Sequence, residues 1–513
     1  MKCLVLRSFN RGAPVSASGE WGEPLVEQPF IYEINTWVWL GELGRATEGN
    51  IGLAEVPGEE WDAIAALGFD AVWLMGVWER SPAGIEIALE NDGLVESFRR
   101  ALPDFRAADV VGSPYCIRDY AVAADLGGTE GLASARAALE RRGLGLILDF
   151  VPNHVAPDHE WTAAHPEYFV GGSEDDLERD PASFVKVGDR VLANGRDPYF
   201  PAWPDVVQLN AFSADLRGAV VDTLGRVAEQ CDGVRCDMAM LMMNDVFERT
   251  WGGRAGERPQ EDYWPTVIGA VRERSADFVF LAEAYWDLEY ALQQQGFDYC
   301  YDKRLYDRLL RDSAASVHGH LTADIGYQNR LVRFIENHDE PRAASAFPPG
   351  KARAAAVAAL GQTGARLVHE GQLDGRRVQL PVFLGRRPDE EPDVNLRAFY
   401  ERLLGGLRDG VFRTGAWQLG ERSGWDGNDS WQNLVVWGWR DGEARKLVVV
   451  NLGEARAEGH VSLPWDDLRG RTWRLADALG DAVYERSGDD LRNGLYVALD
   501  PWSSSLFDLT LED

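Results

Sequence analysis

The chain has 513 residues and carries 83 acidic against 52 basic side chains, a formal net charge of -31; so negative a surface repels phosphate backbones and argues against nucleic acid as a partner. Hydrophobic residues at 45% and charged residues at 26% describe an ordinary globular balance in a chain too long for one core, so two or three domains are expected. Five widely spaced cysteines without a CxxC pair argue for reduced thiols rather than a zinc site; an N-terminal apolar run broken by Arg7 and Arg11 is shorter than the ~7–15 residues of a signal core, and nothing approaches the ~20 apolar residues of a membrane span, so a cytoplasmic protein is expected.

After an N-terminal extension (1–27), strand-like and helix-like runs alternate. "FIYEINTWVW" (30–39) reads as a strand, "EEWDAIAALG" (59–68) as a helix with a Gly stop, and "FDAVWLMGVW" (69–78) as a strand. A helix follows at 128–143 with Thr129 as candidate N-cap, then an apolar strand, "LGLILDFVPNH" (144–154). Further strands are read at 231–240, 278–286, 297–306, 331–340 and 365–372, with helices between them and a last one at 395–407. Eight strands, each followed by a crossover containing a helix, predict a (β/α)8 TIM barrel over 28–154 and 205–420; no Gly-rich turn follows the first strand, as a dinucleotide-binding sheet would need. Residues 155–204 form an irregular stretch far longer than the ~2–6 residues of an ordinary βα loop, an inserted domain after strand 3. From 421 to 513 short strands separated by turns predict a C-terminal antiparallel β-sandwich.

The fourth strand, "CDGVRCDMAM" (231–240), places Arg235 and Asp237 on one face of an otherwise apolar run. Two charges there are either a structural ion pair or a catalytic carboxylate with its arginine. Active sites of such barrels lie at the C-terminal ends of the strands. Those ends hold Asp149, Asn153 and His154 on the third strand and Glu283 on the fifth; the seventh runs into Glu336, Asn337, His338 and Asp339, and the eighth into His369, Glu370 and Gln372. Acids and histidines on so many strand ends suit a site better than scattered ion pairs.

"DFVPNH", "GVRCDMAM", "LAEAYW" and "FIENHD" stand in this order on the expected strands, and together they resemble the four signature segments of the α-amylase family of glycoside hydrolases. The likeness extends over about 28–420, and that family's domains B and C resemble the insertion and the terminal sandwich. The resemblance implies a retaining enzyme that hydrolyses α-1,4-glucosidic bonds in glucans or maltooligosaccharides. By position it implies Asp237 as nucleophile, Glu283 as general acid/base and Asp339 as the third carboxylate. It implies Arg235 as the residue that charges and orients the nucleophile, His154 and His338 as donors to the sugar, Asp149 as a supporting acid and Tyr115, in "SPYCIRDY", as the stacking tyrosine. Arg235 is expected to depress the pKa of Asp237 while burial and neighbouring acids raise that of Glu283. Asn153 matches a calcium ligand of the family; no cofactor is required, and a structural calcium is implied only if the acidic run Glu174, Asp175, Asp176 and Glu178 is not simply solvated surface. Met240 and Leu241 stand where many α-amylases carry Lys-His on the leaving-group side, which leaves transfer to another acceptor (a transglycosylase, trehalose-forming or sucrose-acting enzyme) open beside hydrolysis. Tyr199, Phe200 and Trp203 suit either sugar stacking or a small loop core, and Trp437 and Trp439 either polysaccharide binding or sandwich core. Oligomeric state is not legible.

Overall fold

The computed structural model describes residues 27–46, 49, 51–348, 350–463 and 465–512; the expected N-terminal extension lies, apart from Glu27, outside the described residues. Eight parallel strands close into a barrel: β1 (Phe30–Asn35), β2 (Ala71–Met75), β3 (Gly145–Phe150), β4 (Gly233–Cys236), β5 (Val279–Ala282), β6 (Tyr299–Tyr301), β7 (Leu331–Arg333) and β8 (Ala365–His369). Each pairs with the next, and β8 closes on β1 through Phe30↔Arg366 to Glu33↔His369. The strands are short and buried on both faces, because helices cover the outside and side chains fill the inside. The (β/α)8 barrel expected from the alternation is therefore present, with strands that stop earlier than the apolar runs do.

Three local differences follow from backbone chemistry. The first strand ends at Asn35 and a helix begins at Thr36 (Thr36–Ala46), because "TWVWL" turns its apolar residues onto a helical face. The helix expected to be capped by Thr129 starts instead after Gly127, whose φ of 95° suits a residue without Cβ. The fourth strand stops at Cys236: Met238 takes a left-handed φ of 41° and Ala239–Met242 forms a 3-10 turn, so Asp237 stands at the rim where the chain bends over.

Between β2 and the helix Gly128–Glu140 lie two helices that the periodicity did not reveal, Pro82–Glu90 and Asp92–Ala101. Ser81 caps the first by accepting from Gly84 N at 2.9 Å, and Asn91 caps the second by accepting from Leu94 N at 3.1 Å. The insertion after β3 holds a helix (Glu174–Arg179) and a hairpin (Phe184–Val187 with Arg190–Ala193). Two of the four acids in its run are paired: Asp176 bonds Arg254 and Arg179, and Glu174 bonds Lys186.

The C-terminal part is a six-stranded antiparallel sheet facing a three-stranded one. The large sheet contains β9 (Leu434–Asp441) and β10 (Ala444–Asn451). Trp437 and Trp439, both 0% exposed, donate their indole N–H groups to Gly361 O at 2.8 and 2.9 Å. They bolt the sandwich to the end of the barrel helix Lys351–Leu360 and have no surface for a glycan. Among the described residues no helix is long and apolar enough to cross a membrane.

Candidate active site

The rim of the barrel gathers the charged residues around one guanidinium. Arg235, on β4, is 1% exposed. Its Nη1 donates to Asp237 Oδ1 at 2.7 Å, its Nη2 stands 2.7 Å from Glu283 Oε2, and the same Nη2 is 3.8 Å from Asp339 Oδ2. Rings surround it: its Cζ lies 5.4 Å from the centroid of Trp73, 5.1 Å from Tyr115 and 5.8 Å from Tyr301. A cation so enclosed is held by the three acids and the aromatic faces rather than by water.

β4 and β5 are neighbours in register Arg235↔Leu281 and Cys236↔Ala282, so Asp237 and Glu283 follow adjacent strand ends. Two backbone bonds lock them: Glu283 N donates to Cys236 O at 3.0 Å and Ala239 N to Glu283 O at 3.1 Å. The Glu283 carboxylate accepts from Met238 N at 2.6 Å and from Tyr285 Oη at 2.8 Å. Burial pushes the Glu283 carboxyl up to about 7; Arg235 opposes that shift, and Asp237 and Asp339 add to it. Asp237 differs from expectation: burial outweighs Arg235 and raises its carboxyl too. The directed guanidinium hydrogen bond falls on Asp237.

Asp339, beyond β7, is more open, its side chain 39% exposed. Desolvation raises its carboxyl, but His338, at 2.9 Å, and Arg235 outweigh it and hold the group below its usual range. His338 Nδ1 meets Glu33 Oε1 at 2.5 Å, and its Nε2 lies 2.6 Å from Tyr115 Oη. Burial disfavours charge on that ring, yet Asp339 and Glu33 push it up to about 10. His154 is the opposite case: burial lowers it to about 3. With Nδ1 accepting from Asn153 Nδ2 at 3.2 Å, its Nε2 carries the proton.

Asp149 lies below the cleft rather than in it. Its carboxylate accepts from Gly76 N at 2.7 Å and Trp73 Nε1 at 3.1 Å, and burial raises it to about 6 against the pull of Arg235. Asn153 is turned away behind His154: its Oδ1 accepts from Gln208 Nε2 at 2.8 Å. Among the described residues no group of three or more His, Cys, Asp or Glu could hold a metal ion. Met240 and Leu241 are 0% and 2% exposed and belong to the core. Glu33, Trp73, Tyr285 and Tyr301 join the site without having been singled out in the sequence. Tyr285 could have been, since it follows Glu283 by two positions.

A cavity of about 350 Å³ holds Tyr115, His154, Trp203, Asp237, Glu283 and Asp339 together. A second, about 440 Å³, shares Asp339 and Phe383 with it and reaches Leu94 and Gln379. A third, about 360 Å³, shares Met238 and Tyr285 and adds Phe200 and Trp286. The acids therefore sit midway along a trough. On the Tyr285 side Phe200 is 67% exposed, and Tyr199 packs edge-on to Trp286 at 4.8 Å.

A family model for the α-amylase catalytic domain matches residues 58–436. The chain belongs to the α-amylase family of glycoside hydrolases. A curated relative, the α-amylase MalA of Haloarcula japonica, is 25% identical over 418 residues, 79% of this chain and 52% of its own length, so the chain spans about half of that relative. Among solved structures, the maltogenic α-amylase AmyB of Thermotoga neapolitana superposes with a TM-score of 0.66 at 18% identity, over 95% of this chain and 99% of its own. The cyclic α-maltosyl-(1→6)-maltose hydrolase of Arthrobacter globiformis gives 0.64 at 17% identity, over 95% and 100%. At those identities they speak for the fold alone: an α-amylase-type barrel followed by an antiparallel terminal domain.

Proposed function

We propose that this α-amylase-family enzyme is a retaining α-glycosidase that hydrolyses α-1,4-glucosidic bonds in maltooligosaccharides or glucans. The observation that carries the reading is the single guanidinium of Arg235, 2.7 Å from a carboxylate oxygen of both Asp237 and Glu283. Two acids bridged by one guanidinium suit the ~5–5.5 Å spacing of a retaining pair better than the ~6.5–9.5 Å of an inverting one. Asp237 attacks the anomeric carbon while Glu283 gives its proton to the departing oxygen, leaving a glycosyl ester on Asp237. Glu283, now ionised, takes a proton from water, which attacks the same carbon and frees Asp237. Asp339, the Nε2 proton of His154 and the His338 ring hold hydroxyls of that sugar, and Tyr115 gives it a stacking face.

A trough that continues on both sides of the acids suits a chain rather than a single sugar, and an acidic surface suits a neutral one. All four described cysteines are unpaired, which favours a reducing, cytoplasmic setting. The test is hydrolysis of maltooligosaccharides and starch by the natural chain and by D237N and E283Q. Each substitution is expected to lower kcat by at least about 10²–10⁴-fold; undiminished turnover by either would overturn the assignment. Transfer to a sugar acceptor is a second reading, favoured by the apolar Met238, Trp286 and Phe200 beyond Glu283. Longer products on adding glucose or maltose would support it.

A further inference from the structure

Glu33 is a carboxylate with almost nothing to satisfy it except one histidine. It stands on β1, 305 positions before His338, beside Trp73 on β2 and His369 on β8 in the barrel register. It is 0% exposed, and its Oε2 is buried without a hydrogen-bond partner. A buried acid kept for stability alone would be expected to have both oxygens satisfied, since an unpaired buried oxygen is costly and a charged one more so. Its Oε1 meets His338 Nδ1 at 2.5 Å, and on the far edge of that ring Nε2 lies 2.6 Å from Tyr115 Oη and 2.9 Å from Asp339 Oδ2. A neutral imidazole with its one N–H on Nδ1 would take the Tyr115 hydroxyl at Nε2 but turn that lone pair toward the Asp339 carboxylate; a doubly protonated ring meets both carboxylates as a cation. Trp73 packs edge-on at 5.4 Å and fixes the ring plane.

We propose that Glu33 is a positioning residue of this site: by accepting the Nδ1 proton it keeps His338 doubly protonated, so that Nε2–H is aimed at Asp339 and at the sugar hydroxyl the two would share. Glu33, His338 and Asp339 thus form a relay from the inside of the barrel to the cleft, and the charge of His338 keeps Asp339 ionised. The titratable and charged groups around the ring are Glu33 from β1, Asp149 at the end of β3, Arg235 from β4, Tyr301 from β6, Asp339 after β7 and His369 from β8, with Tyr115 over Nε2. Only Glu33 and Asp339 touch the ring as anions, and both raise its basicity above the cost of its burial. This inference rests on the proposed function for what the relay serves, but not for whether the relay exists.

Two measurements test it. In the natural chain, ¹⁵N NMR of His338 should find both ring nitrogens protonated at about pH 8, where a free histidine is neutral; a neutral ring there would overturn the proposal, and the spectrum needs no turnover. In E33Q the amide oxygen can still accept from Nδ1 but brings no charge, so His338 should lose its proton at lower pH. The ratio of variant to natural kcat/KM should then fall about tenfold between about pH 5.5 and about pH 8, and E33D should restore part of the alkaline activity. A ratio flat with pH would mark Glu33 as structural and overturn the role. If neither chain turns over glucans while the ring is doubly protonated, the substrate reading fails and the relay stands.

Discussion

Asp237 and Glu283 are both buried carboxyls touching the same arginine, and what separates them is how each is bonded. Asp237 receives a directed N–H from Arg235, whereas Glu283 receives Met238 N and the Tyr285 hydroxyl and sits with its carboxyl near 7. In the proposed mechanism Glu283 gives up its proton, so kcat is expected to hold below about pH 7 and fall as pH rises through it. Y285F removes a donor to the ionised form; the acid form gains, and the alkaline limb of the kcat profile should move to higher pH by a fraction of a unit. A limb that stays put or moves down would contradict this assignment of Tyr285. The acids themselves were legible because each ends a short apolar strand, and polar side chains there need a reason. Glu33 and Trp73 were not: they lie inside strand runs whose alternation gives no hint that they converge on His338 from the opposite end of the chain.

At the scale of elements, the third strand and the insertion are joined through one side chain. Gln208, 0% exposed, donates to Asn153 Oδ1 at 2.8 Å and Asn153 O at 2.9 Å, and accepts from Asn153 Nδ2 at 3.3 Å. It closes the start of the insertion against its returning end, and Asn153 in turn fixes the His154 tautomer. Q208A should cost about 1–3 kcal/mol of stability, the scale of leaving a buried amide unpaired, and should raise KM as His154 loosens. Thermal unfolding with initial-rate kinetics checks both; an unchanged Tm would mean that Asn153 is held by other contacts. The alternation of strands and helices was readable because buried parallel strands form continuous apolar runs. The helices Pro82–Glu90 and Asp92–Ala101 escaped because short helices tied to a loop are set by their caps, Ser81 and Asn91, more than by periodicity.

The whole molecule carries a charge of -31, and like charges over one surface work against the compact state. Raising ionic strength from about 0.01 M to about 0.5 M shortens the screening length from about 30 Å to less than about 8 Å, so Tm is expected to rise with salt. A Tm that falls with salt would mean that surface ion pairs such as Arg258–Asp245 and Arg274–Asp222 outweigh the repulsion. Domain order was legible at this scale, since the change from alternating elements to short strands near residue 420 is a change of composition. The role of Trp437 and Trp439 was not, because two tryptophans on one strand face look alike whether they meet a glycan or the carbonyl of Gly361.

The account as a whole depends on Asp237 forming a bond to the sugar. An α-glucosyl fluoride that makes its ester quickly and releases it slowly, incubated with the chain and followed by peptide mass spectrometry, reads this directly. The account predicts one glucosyl residue on the peptide that carries Asp237, with none on D237N. Steady turnover of the same compound with no label on that peptide, or with label on another acid, would contradict it.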